Sequence, residues 1–228
     1  MKRLGKVLLA LAALLLVYLA VVAWWASASV DTLLAQQTVD PSAPRLSQSQ
    51  LAILLRIEDP SFFTHHGLSL AEGQGVATIS SAVARDLFLY DGRLDGLQGQ
   101  LQRFYRSVFD CCRKVDLGRD TMALVLDASV SKERQLALYV AGVYMGRHEG
   151  RQLRGLEQGA RAYLGKPLAA LGDDEMARLV AMLKAPNELH PVRNREAYAL
   201  RLERVQAVLA GRCRPDGWLD TNYAHCGH

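Results

Sequence analysis

From Val7 to Trp25 no residue carries a charge. An uninterrupted apolar run of that length leaves few folds open, because roughly 20 such residues make a helix that crosses a bilayer. Lys2, Arg3 and Lys6 precede the run, and Asp31 is the first charge after it. That excess of positive charge on the leading side puts the N-terminus in the cytoplasm and everything from about Ser29 outward on the other face. Ala26-Ser-Ala28 resembles a signal-peptidase site, so a cleaved leader is the rival reading, although the run exceeds the roughly 7–15 residues of a usual leader core. Both readings deliver an extracytoplasmic body. Trp24 and Trp25 fall where an interfacial aromatic belt is expected. Residues 1–29 are thus read as the anchor, and 30–46, polar and carrying Pro41 and Pro44, as a linker.

The rest of the 228 residues, half of them hydrophobic overall, suffices for one substantial core. The formal charge of +4 comes from 27 basic and 23 acidic residues. Setting aside Lys2, Arg3 and Lys6 leaves 24 against 23, or +1, which gives no electrostatic footprint for a nucleic acid. Apolar residues recur at three- and four-residue spacing, as in Leu51, Leu54 and Leu55, then Leu94, Leu97, Leu101 and Tyr105, and later Tyr198, Leu202, Val205 and Leu209. Ser47-Gln-Ser-Gln50 predicts a capping box, with Glu58 closing the helix it starts. Further helices are expected over 78–89, from Ser131 to Gly146, up to Gly165, and from a cap at Asp173 to Pro186. No stretch alternates long enough to predict a strand. The fold class is therefore mainly helical, with seven or eight helices and one N-terminal transmembrane helix. The body spans 47–212, and a cysteine-containing tail follows over 213–228.

Four cysteines suit an extracytoplasmic compartment. Cys111 and Cys112 are adjacent, and neighbouring cysteines close a strained ring. Cys213 and Cys226 flank a Pro- and Gly-containing stretch that a disulfide would pin. His225 and His228 lie beside them, but neither C-x-x-C nor H-x-x-x-H spacing is present to favour a metal.

The chemistry concentrates between Glu58 and Leu89. Glu58 and Asp59 are followed within ten residues by Phe62, Phe63, His65, His66 and Gly67. A carboxylate beside apolar bulk is pushed toward the pKa range of a general base, while the plain alternative is an acidic helix end stopped at Pro60. His65 or His66 could order the base, or serve structure alone. Tyr139 and Tyr163 sit at core spacing, and Lys166 reads as solvated. Ser129-Val-Ser-Lys132 matches S-x-x-K, but S-D-N and K-T-G are missing.

Taken in order, Glu58-Asp-x-x-Phe62-x-x-His65-x-Gly67, Gly75-x-x-Thr78-Ile79 leading to Arg85-x-Leu-x-Leu89, Arg113-Lys114, Ser131-Lys132 leading to Leu136-x-x-Tyr139, and Gly155 through Ala160 to Tyr163-x-Gly165-Lys166 resemble family 51 glycosyltransferases, the peptidoglycan glycosyltransferase domains. The resemblance covers residues 47–195. It implies a lysozyme-like helical fold and a membrane-anchored, monofunctional enzyme that polymerises a lipid-linked disaccharide precursor into glycan strands. Glu58 becomes the general base and Asp116 the second catalytic carboxylate. Thr78, Arg85, Arg113, Lys114 and Lys132 become substrate contacts, supported by Asp59, Phe62, His65 and Gly67. The precursor, the inner membrane and other cell-wall synthesis proteins are the implied partners. No cofactor is required. A divalent cation at Asp59, bridging the diphosphate, is the one addition the sequence leaves open.

The chain also departs from the pattern. Where the family usually has Ser-Thr-Ile-Thr-Gln-Gln, it reads Ala77-Thr-Ile-Ser-Ser-Ala82, and a later Lys-Asn is Arg85-Asp86. Leu117 stands where a glutamate follows the Arg-Lys pair, with Asp116, Arg119 and Asp120 as neighbours, and the expected Glu and Asn of the fourth motif are Ala137 and Ala141. A second reading follows, in which the chain keeps the fold but binds glycan, precursor or a partner without transfer. A lytic hydrolase is a third.

Overall fold

The computed structural model describes residues 2–37, 46–70, 73, 77–111 and 116–227. Among them are nine α-helices and one two-stranded antiparallel hairpin. The chain divides into two compact units, the first formed by residues 1–38 and 84–131, the second by 39–83 and 132–228.

In the first unit, α1 (Lys2–Ala35) is a single helix, long and apolar enough to cross a membrane. Its leading half is exposed at Leu8, Leu9, Leu11 and Leu14, whereas Val22, Trp25, Val30 and Leu33 are buried. The helix therefore carries on as a core element, and the expected anchor–linker boundary at 29/30 falls inside it. The aromatic pair is also split. Trp24 is exposed, but Trp25 is fully buried, because successive residues on a 3.6-residue turn point about 100° apart. The Trp25 ring lies 4.9 Å from Tyr105 and 5.8 Å from Phe88, and its Nε1–H donates to Gln98 O at 3.0 Å. These partners come from α4 (Gly96–Cys111) and from a π-helical turn, Asp86–Tyr90, the latter ending what the sequence predicts as one helix over 78–89. Helix α5 (Leu117–Ser129) packs on α1. Gly118 permits the approach, since a Cβ there would sit 2.5 Å from the Tyr18 hydroxyl oxygen.

The second unit starts with α2 (Gln48–Glu58), where Ser47 and Gln50 form the expected capping box. The Gln50 side chain donates to Leu168 O and Leu171 O, both at 2.9 Å. Helix α3 (Ile79–Arg85) follows, its last two residues, Ala84 and Arg85, belonging to the first unit, and α6 (Lys132–Gly142) ends four residues before Gly146. Next come the strands that periodicity missed, β1 (Tyr144–His148) and β2 (Arg151–Arg154). They are short, and their register is irregular between Tyr144 and Arg147, so no two-residue period shows. The local signal was the turn, since Glu149 and Gly150 both take positive φ, as a tight hairpin requires. Helix α7 (Leu156–Leu164) ends on Gly165 in the left-handed region. Helix α8 (Asp173–Ala181) begins after Gly172, making Asp173 its first residue rather than its cap, and α9 (Arg195–Leu209) closes the set.

The tail after α9 is closed by a Cys213–Cys226 disulfide with Cα atoms 5.6 Å apart. Both sulfurs are used in that bond, while Cys213, Cys226 and His225 keep their ligand atoms within 4.8 Å of one another, so a metal there would require the reduced pair. Closing a loop of this size stabilises by about 3 kcal/mol. Full reduction is expected to lower the melting temperature of this unit, read by thermal unfolding with and without reductant.

Candidate active site

Glu58 is the last residue of α2. It is half-buried, and its Oε2 accepts a hydrogen bond from the Tyr139 hydroxyl at 3.1 Å. Desolvation by burial raises its pKa most, and neighbouring Asp59 adds to the rise. Arg201, the Tyr139 hydrogen bond and Lys184 pull the other way. The carboxyl is thus held in an environment that favours taking a proton, yet it retains the partners that keep an ionised form accessible.

The next residue does different work. Asp59 is fully buried, and its Oδ2 accepts from Ile79 N at 2.9 Å and His65 Nε2 at 3.0 Å. On the other side of the same ring, Gly67 N donates to His65 Nδ1 at 3.0 Å. That bond fixes the tautomer, with the ring proton on Nε2. Asp59 therefore ties the end of α2 to the start of α3, and His65 orders Asp59 rather than Glu58.

Thr78 is buried, with its hydroxyl donating to Gly67 O at 2.7 Å and accepting from Ser81 N at 2.9 Å. The expected substrate contact is thus engaged inside the protein as the local stop of the Gly67 turn and start of α3. Gly67 itself has a φ of 89°, which explains why glycine stands there. Lys132 begins α6, and its ammonium lies 4.8 Å from the centroid of buried Phe62, 3.4 Å from Ser80 Oγ and 3.5 Å from His65 Nδ1. Ser80 Oγ in turn donates to the buried Gln135 at 2.6 Å. Glu58, Asp59, Phe62, His65, Gly67, Thr78 and Lys132 are all in the second unit.

Arg85 and Asp116 belong to the first unit. Arg85 Nε pairs with Asp86 at 2.7 Å. Asp116 caps α5, accepting from Arg119 N at 3.0 Å. Arg113 and Lys114 lie outside the described residues. Lys166, read as solvated, pairs with Glu175, and Tyr163 donates to Met145 O.

Three groups around Glu58 had no signal in the sequence. Arg201 of α9 is buried, Lys184 follows α8, and Tyr223 comes from the disulfide-closed tail. Lys184 keeps an exposed side, yet its ammonium, bonded to Thr221 and Asn222, is pushed down to about 8, by partial burial first and then by Arg201. Tyr139 has the spacing of a core residue. It is buried, but its hydroxyl is spent on Glu58.

The second unit thus carries a desolvated carboxylate at the end of a helix in a mainly helical body, and the first unit carries an apolar helix long enough to cross a membrane. The chain belongs to the transglycosylase family, whose model matches residues 28–210. It is 31% identical over 170 residues to penicillin-binding protein 1B of Escherichia coli, covering 68% of this chain and 18% of that protein. The same protein of Vibrio cholerae is 32% identical over 170 residues, covering 68% and 20%. Biosynthetic peptidoglycan transglycosylase of Acinetobacter baumannii strain SDF is 28% identical over 198 residues, covering 75% and 78%. The chain thus spans about a fifth of the length of its penicillin-binding relatives.

Proposed function

We propose that the chain is a membrane-anchored peptidoglycan glycosyltransferase, held in the inner membrane by α1 with its body outside, and that Glu58 is its general base. The acceptor sugar hydroxyl attacks the anomeric carbon of the lipid-linked donor. The bond from that carbon to the lipid diphosphate breaks, the diphosphate leaves with the bonding pair, and the hydroxyl proton passes to Glu58. A diphosphate is already stable as an anion and needs cations rather than a second acid. Lys132, with its ammonium 4.8 Å from the Phe62 ring centroid and 3.5 Å from His65 Nδ1, is one such cation, and Arg85, Arg113 and Lys114 keep the phosphate-binding role their motifs imply. The observation that carries this reading is the half-buried Glu58 carboxyl with its raised pKa and its bond from Tyr139.

Purified full-length chain incubated with labelled lipid-linked disaccharide precursor should yield polymer. The alternative is the binding-only reading. Precursor bound without polymer would select that reading, and soluble fragments released from preformed wall would select a hydrolase.

The Tyr139 bond lowers the Glu58 pKa, so Tyr139→Phe should raise it further. Activity needs the ionised carboxylate, and the acid limb of the rate–pH profile should therefore move to higher pH in that variant. A limb that stays in place would show that Tyr139 does not act on the base.

A further inference from the structure

Family membership accounts for residues 28–210, and the disulfide-closed tail lies beyond them. Tyr223, deep in that tail, is among the largest fully buried side chains. Its hydroxyl donates to Ile57 O at 3.1 Å, the carbonyl one residue before Glu58. The Arg201 guanidinium stacks over its ring at 4.6 Å, and Arg201 Nη1 donates to the tail carbonyl of Thr221 at 3.0 Å. Arg201 is itself buried, with its Nε unpartnered. The tail's grip extends further. Gly73 N donates to Gly217 O at 3.0 Å, and a Cβ on Gly73 would collide with Pro215 at 2.3 Å. Tyr223 also holds a left-handed backbone at φ 51°, a conformation that persists only where surroundings enforce it. Here the Cys213–Cys226 bond and the Asp220 carboxylate, which accepts from Asp216 N and Ala224 N, do so.

We propose that the disulfide-closed tail is a brace for the general base, in which Tyr223 and Arg201 are positioning residues. Tyr223 seats the guanidinium and fixes the last turn of α2, so that one buried cation stays within electrostatic reach of the Glu58 carboxylate. Simple plugging would need an apolar side chain alone. The tail instead spends a phenol hydroxyl on the backbone beside Glu58, and a ring face and a carbonyl on the same arginine. The charged or titratable groups around Glu58 are Asp59 on its own segment, Tyr139 from α6, Lys184 after α8, Arg201 from α9 and Tyr223 from the tail. Of the cations among them, Arg201 acts on Glu58 most strongly, and the tail holds it on two sides.

The inference rests on Glu58 being the base, but its test does not need turnover. The full-length chain in detergent micelles, labelled at the glutamate side-chain carboxyl carbon and assigned through Glu58→Gln, gives the Glu58 titration midpoint by carbon NMR. Tyr223→Leu frees the guanidinium and should shift the midpoint upward by about half a unit to one unit, the order expected of one partly screened cation. Tyr223→Phe keeps the ring and should restore most of the wild-type value. Reduction of the wild-type disulfide gives a reading without mutation, and an upward shift is expected there too. A midpoint that is unchanged in folded Tyr223→Leu, equal in the Leu and Phe variants, or unmoved by reduction would overturn the brace. Absence of polymer from wild type alongside the expected shifts would instead fault the transferase reading and leave the brace standing.

Discussion

Glu58→Gln is expected to lower glycan polymerisation by about 10³-fold, the order of a lost general base, while leaving the chain folded and able to bind precursor. The amide keeps the shape of the side chain and can still accept the Tyr139 hydrogen bond, but it cannot take the acceptor proton. Stability should move the other way. Burial raises the pKa of Glu58 in the fold, so its contribution to stability is fully present below the ordinary glutamate value and is lost as pH rises through the raised one. Wherever the carboxylate is ionised in the fold it is a net cost, and at such pH the Gln variant should melt no lower than wild type. Polymer assays and thermal unfolding on the same preparations check both halves. Wild-type rates from Glu58→Gln would remove Glu58 from the mechanism.

Asp59→Ala should act through the fold. Two buried donors, Ile79 N and His65 Nε2, share the Asp59 carboxylate, and deleting it strands both. Each buried donor left unsatisfied costs about 1–3 kcal/mol, and two of them give a fall in melting temperature on the order of 10 °C for a chain of this size. Asp59→Asn, which keeps an acceptor oxygen, should lose less. Adjacent acids with opposite outcomes, one lost in rate and the other in stability, are what the two environments require. Equal melting temperatures for Asp59→Ala and wild type would show that the link between α2 and α3 is carried elsewhere.

The helical rhythm was legible because each amphipathic stretch carries its own period and caps. The Ser47–Gln50 box and the end of α2 at Glu58 fell where residue types alone place them. The hairpin was not legible, since strands of five and four residues with an irregular register leave too few positions for a two-residue period. Trp25 was not legible for another reason. Apolar character suits a lipid interface and a protein core equally, and only its partners Tyr105 and Phe88 decide between them. Thr78 and Asp59 stand out in the sequence only as motif residues, and the hydrogen bonds that engage them inside the protein come from residues a turn or a helix away.

By itself the sequence determined the apolar first helix, the helical class and the motif order that marks Glu58, because those properties are written in local periodicity and in short spacings. Which groups surround Glu58 was decided only in three dimensions. Arg201, Lys184 and Tyr223 stand more than a hundred residues along the chain, and electrostatic influence depends on distance through space, which spacing along the chain does not encode.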